Sequence, residues 1–142
     1  MTATQEDMLS AQDEIDLSND RSVETITTTW SVTSAEVKHS ESEKGEGTYE
    51  EIIVESGEFP YPITLRFFTS YTPANPNGTK YAKDGVTPLW VAQQRGKLRK
   101  LAQATLGSER WSRANVVGKS FTGTTREDRD GNATVTRFAP LA

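Results

Sequence analysis

Few residues in this 142-residue chain have types and spacings suited to covalent chemistry. Glu50-Glu51 and Asp128-Arg129-Asp130 have the composition of an acid–base pair or of magnesium ligands. Both fall where the local pattern reads as a hairpin turn or a solvent-facing strand position, and charges there are ordinarily solvated. Asp128-Arg129-Asp130-Gly131-Asn132 has the start of a calcium loop but not its later bidentate glutamate. Gly118-Lys119-Ser120 is no phosphate cradle, because Arg113 stands where that motif needs its first glycine. His39 is the sole histidine and reads as a polar strand-end residue, and there are no cysteines. A thiolate nucleophile, a cysteine zinc site, a disulfide and a histidine-rich metal site are thereby excluded. The expectation is a protein that is not an enzyme and uses no cofactor or metal.

A second grouping suits binding. Recognition of single-stranded nucleic acid requires cations that follow phosphates and flat rings on which bases stack. Arg66, Phe68 and Tyr71 lie close together, Lys80, Tyr81 and Lys83 follow, and Arg95, Lys97, Arg99 and Lys100 crowd one short stretch. Trp30, Phe67, Phe121 and Phe138 are assigned to the core. Trp90 and Trp111 are assigned there ahead of a ligand platform, which leaves Tyr71 and Tyr81 as the leading stacking rings.

Charge is distributed unevenly along the chain. Residues 1–60 hold fifteen acidic residues against Arg21, Lys38 and Lys44, a net −12, whereas residues 61–142 hold thirteen basic against five acidic, a net +8. Together these give the −4 of the whole chain. Such polarity suits a surface that meets a polyanion, or acidic and basic segments that pair within the fold.

The elements that would position these residues follow from periodicity. Residues 1–24 are rich in Asp, Glu, Ser, Gln and Thr. They offer too little apolar area to offset ordering entropy, so a flexible acidic tail is expected there and one domain over 25–142. Period-two alternation with β-branched residues predicts strands near 28–38, 49–55 and 63–71, with a charged hairpin loop over 40–47. Ile52 and Val54 oppose Tyr49 and Ile53 across the second strand. Ile63, Leu65 and Phe67 oppose Thr64, Arg66 and Phe68 across the third. Residues 72–88 carry three prolines and two glycines and form the long loop best suited to contact a ligand. A helix over 89–106 is predicted, with Val91, Gln94, Leu98, Leu101, Ala102 and Thr105 on one face and Gly107 as its C-cap. Strands near 119–126 and 133–139 close the chain around an Asp130-Gly131 turn. The fold class is mainly β: five strands with one helix between the third and fourth, the element order of an OB-like barrel. No apolar run reaches the roughly 20 residues of a membrane span, and no signal peptide opens the chain, so a cytoplasmic location is expected.

The chain resembles a family of phage-encoded, OB-like single-stranded DNA-binding proteins associated with phage recombination and replication genes. The matching residues are Asp16-Leu17-Ser18; Val32, Ala35-Glu36 and Val37-Lys38; Arg95 to Ala104 continuing through Leu106-Gly107; Val116-Val117-Gly118-Lys119-Ser120-Phe121; and the closing strand over 132–138. The resemblance spans roughly residues 14–140. This chain departs from it at Thr29-Trp30, where a Gly-Tyr-type start is usual, and in its long 72–88 loop. The resemblance implies non-catalytic binding of single-stranded DNA in phage replication or recombination, in the cytoplasm of an infected host.

On that expectation Arg66, Lys80, Lys83, Arg95, Lys97, Arg99 and Lys100 hold the backbone while Phe68, Tyr71 and Tyr81 stack on bases. The acidic tail recruits replication or recombination proteins or competes with DNA for the basic face. The second expectation is a phage structural or interaction protein, a virion component or an inhibitor of a host protein. Acidic and basic surfaces would then join subunits head to tail into a homo-oligomer. A third is an enzyme subunit whose catalytic residues lie on a partner.

Overall fold

The computed structural model describes residues 23–141. The acidic tail expected over 1–24 lies outside them except for Val23, which is buried, and Glu24, whose carbonyl accepts a hydrogen bond from Thr125. Five antiparallel strands run β1 (Thr27–Ser42), β2 (Gly45–Glu55), β3 (Ile63–Pro73), β4 (Ser120–Glu127) and β5 (Ala133–Ala139). One long helix, α1 (Leu89–Leu106), and a single turn, α2 (Arg113–Val116), lie between β3 and β4. The strands form one sheet in the order β3-β2-β1-β4-β5. The sheet curls into a half-barrel that brings its two edge strands, β3 and β5, towards each other. Phe67 of β3 meets Phe138 of β5 edge to face, with ring centres 6.1 Å apart.

The core lies on the concave face. Trp30, Val32, Ile52, Val54, Ile63, Leu65, Phe67, Phe121 and Val135 point inward from the five strands, and Leu98, Leu101 and Ala104 descend on them from α1. The alternation predicted along β2 and β3 is the one observed. Trp30 is fully buried and donates its indole N–H to the Gly123 carbonyl (3.2 Å), which satisfies the one polar atom it carries inward. Leu101 is likewise fully buried, worth about 2 kcal/mol over leaving it exposed.

Helix α1 has the predicted bounds and ends at Gly107, whose left-handed backbone (φ 66°) lets its N–H reach the Gln103 carbonyl at 3.1 Å. One side chain ties it to the edge of the sheet. The β3 edge leaves the Phe68 N–H without a strand partner, and Gln94 Oε1 accepts it at 2.7 Å.

The first hairpin is longer than its composition predicts. The charged 40–47 stretch is not a loop, because pairing continues from Ser40↔Gly47 through Ser42↔Gly45 and leaves only Glu43 and Lys44 to turn the chain. The two glycines belong to β2 for a steric reason. A side chain at Gly47 would run into the Ser70 carbonyl and the Tyr71 ring, and Gly45 (φ 148°) sits equally close to Thr72 and Tyr71. Tyr71 therefore covers bare backbone on its neighbouring strand.

The 72–88 segment is also more ordered than a loop of its length suggests. The Asp84 carboxylate accepts from the Val86 N–H (2.9 Å), the Thr87 N–H (2.8 Å) and the Thr87 hydroxyl (2.6 Å). The Ala82 N–H reaches the Thr87 carbonyl and the Leu89 N–H reaches the Lys80 carbonyl, each at 2.8 Å. A small hairpin closed by a Tyr81↔Pro88 bridge results, and it seats Lys80 directly beside the start of α1. Among the described residues no helix is long and apolar enough to cross a membrane.

Candidate nucleic-acid interface and an arginine-lined cleft

The convex face of β2 and β3 carries the residues opposite the core set. Tyr49 pairs with Phe68, and Glu51 with Arg66. The Tyr49 and Phe68 rings lie 5.1 Å apart, Phe68 meets Tyr71 at 5.9 Å and Trp90 at 5.2 Å, and Tyr71 meets Trp90 at 5.2 Å. Three of the four contacts are edge to face, the geometry favoured by ring quadrupoles. Tyr49, Phe68 and Tyr71 are half-buried, and Trp90 is 39% exposed. The result is a four-ring patch on the outside of the molecule, assembled from two strands and the first turn of α1.

Two of the four rings differ from the sequence expectation: Tyr49 carries no predicted role, and Trp90, expected in the core, lies on the outside. Trp90 leaves the core because Val91, one residue on, is the position that points inward at the start of α1. Tyr81 is exposed but meets none of the four rings.

Cations around the patch differ in their freedom. Arg66 Nε donates to Glu51 Oε2 at 3.1 Å, and Lys38 Nζ lies 3.0 Å from Glu36 Oε2, a pairing that raises the lysine pKa. Lys80 and Lys83 are exposed on the small hairpin and make no ion pair with described residues. Asp84, between them and α1, is held near a pKa of about 2, first by the Thr87 hydroxyl bond and then by the two backbone N–H bonds.

The four cations of α1 do not share one flank of the helix. Lys97 lies seven residues after Trp90 and so shares its flank, with Lys100 one turn on. Arg95 and Arg99, four apart, lie on the other flank and line a separate cleft of about 500 Å³ between α1 and the β1–β2 hairpin. Val37, Leu98 and Trp111 give this cleft apolar walls.

At its base lies Glu50, only 3% exposed. Its Oε1 accepts from Trp111 Nε1 at 2.6 Å and from Arg113 Nε at 2.7 Å. The solvent-facing position expected for the Glu50-Glu51 pair therefore holds for Glu51 alone. Glu50 shares the inward register of Ile52 and Val54, and a carboxylate on that face requires partners. Trp111, assigned to the core, is half-buried with its indole N–H committed to this carboxylate. The other acidic cluster is structural. Asp128 Oδ1 accepts from the Asp130 and Asn132 N–H groups, both at 2.9 Å, and shapes the β4–β5 turn.

Comparison with protein-family models, with curated proteins and with solved structures returns no match for this chain.

Proposed function

We propose that this protein is an OB-like barrel that binds single-stranded DNA without covalent chemistry, as expected of a phage replication or recombination protein. The observation that carries the reading is the four-ring patch of Tyr49, Phe68, Tyr71 and Trp90 on the outer β2–β3 face. Strands 2 and 3 are where an OB-fold presents oligonucleotides. The strand order β3-β2-β1-β4-β5, with edges that approach, suits such a barrel left partly open.

On this reading Trp90 and Phe68 stack on bases, while Tyr71 braces the platform over Gly45 and Gly47. Lys80, Lys83, Lys97 and Lys100 border the patch and hold phosphates, with Arg66 released from Glu51 when a strand arrives. Five such contacts give a slope of log affinity against log salt of about −3.5. Each stacked ring contributes roughly 1–3 kcal/mol.

One observation favours a second reading. Arg66 and Lys38 are already paired with Glu51 and Glu36, so part of the patch presents rings with neutralised charge. A protein partner suits such a surface, as in an inhibitor of a host protein or a virion component.

Anisotropy of a labelled poly-dT oligonucleotide, measured at low and moderate salt beside a duplex control, separates the two. Salt-sensitive binding that prefers the single strand, and that weakens in Trp90→Ala, supports the first. No binding at low salt overturns it and leaves the protein partner.

A further inference from the structure

The cleft between α1 and the β1–β2 hairpin has a chemistry that the ring patch does not use. Arg95, Arg99 and Arg113 converge on it from two elements, and Val37, Leu98 and Trp111 form its apolar walls. Glu50 is already engaged by Trp111 and Arg113, and Glu109 accepts from the Gln103 side-chain amide at 3.0 Å. Arg95 and Arg99 make no ion pair within 4 Å of any described carboxylate, although the lowered pKa of Asp84, caused first by the Thr87 hydroxyl bond, also carries a contribution from Arg95. Val37 is half exposed despite lying on the concave side. Its ligand must therefore carry carboxylate or phosphate charge together with aliphatic groups.

The chain itself contains such a ligand. Residues 6–17 hold Glu6, Asp7, Asp13, Glu14 and Asp16, interspersed with Met8, Leu9, Ile15 and Leu17, and contain no basic residue. Acidic and apolar side chains alternate there in the combination that the cleft offers in reverse. Nucleic acid would satisfy the arginines but leave the exposed Val37 without an aliphatic partner.

The reach is sufficient. The described chain begins at Val23, beside the β4 end of β1, and Val37 lies fourteen residues beyond it, at most about 46 Å along the sheet. Residue 9 is fourteen residues before Val23, and an extended chain spans about 3.3–3.6 Å per residue. Residues 6–9 therefore span the distance to the cleft. We propose that the arginine cleft is the seat of the chain's own residues Glu6, Asp7, Met8 and Leu9, an intramolecular contact between the two oppositely charged parts of the sequence. This contact does not rest on the DNA reading, since it involves neither the ring patch nor a nucleic acid.

The absence of cysteine gives a direct test on the full chain. Ser10→Cys, which removes neither a carboxylate nor an apolar group, accepts a single nitroxide label. Amide and indole spectra are compared before and after reduction of the label. The expected result is selective broadening of the Trp111 indole and of the Arg95 and Arg99 amides at low salt. The broadening should disappear at raised salt, where charge attraction is screened, and in the Arg95→Glu, Arg99→Glu double variant. Both arginines are exposed, and the amide spectrum of that variant reports its fold directly. Absence of selective broadening in the labelled chain at low salt overturns the proposal. So does broadening that appears undiminished when labelled chain is mixed with isotopically enriched unlabelled chain, because a second copy would then be the occupant.

Discussion

Removing Arg113, a half-exposed residue, should destabilise this protein more than altering the buried carboxylate that it contacts. Glu50 has lost nearly all its water, with a side-chain exposure of 4%, and keeps two hydrogen bonds in exchange, whereas the Arg113 side chain is 48% exposed. Arg113→Ala leaves a buried charge with the Trp111 indole as its one remaining donor among the described residues, and stranding such a charge costs about 3–5 kcal/mol. The residual indole bond and access through the cleft place the expected loss near the lower figure, about 3 kcal/mol.

Glu50→Gln removes the charge but keeps an acceptor for both donors, and the freed guanidinium is solvated. Its expected cost is about 1 kcal/mol, the difference between charge-assisted and neutral bonds. The double variant should then be more stable than Arg113→Ala alone, by about 1–2 kcal/mol, because it no longer strands a charge. Urea unfolding followed by far-ultraviolet circular dichroism measures all three. Losses that simply add in the double variant, or an Arg113→Ala loss below about 0.5 kcal/mol, would refute the reasoning, since an independent surface residue behaves that way.

Further outcomes follow from other parts of the structure. Gly47→Val should destabilise by about 1–3 kcal/mol, as over-packing does, and should disturb the Tyr71 ring signals because the new side chain takes the space Tyr71 fills; an unchanged melting temperature would contradict that packing. Trp90→Ala should weaken oligonucleotide binding roughly 5- to 150-fold, the equivalent of one stacked base, and should lower urea stability by about 1–3 kcal/mol through loss of its contacts with Phe68 and Tyr71, and anisotropy with parallel unfolding checks both. The Asp84 carboxyl sits at about 2 in the folded chain against an ordinary 3.8. Its ordering of the 81–88 hairpin is thus complete above about pH 4 and is lost as pH falls towards 2. The Val86 and Thr87 amide shifts should move together across that window, and movement centred near neutral pH would rule Asp84 out as the cause.

The strands were legible because β-branched residues alternate with polar ones, and inward and outward registers along β2 and β3 follow from period two alone. Helix α1 was legible because its buried positions recur at helical spacing and Gly107 stops it. The length of the first hairpin was not, since Gly45 and Gly47 read as turn residues until Tyr71 is seen lying over them. Glu50 offered a local signal, a carboxylate in register with Ile52 and Val54. Its partners, Trp111 and Arg113, stand 61 and 63 residues away and could not be read from spacing.

By itself, then, the sequence determined the inward and outward alternation of β2 and β3, the bounds of α1, and that the two parts of the chain carry opposite charge. These depend on side-chain periodicity and backbone preference, which act over a few residues. Tertiary structure alone decided which rings meet on the outer face and which arginines share a cleft. It joined Tyr49, Phe68 and Tyr71 to Trp90 across a strand pair and a helix start, and it divided the four cations of α1 between two surfaces. Such groupings depend on the curl of the sheet and on the rotation of α1 about its axis. Gln94 binding the β3 edge and Leu98 and Leu101 seated in the core fix that rotation together, through contacts that exist only once the chain has closed on itself.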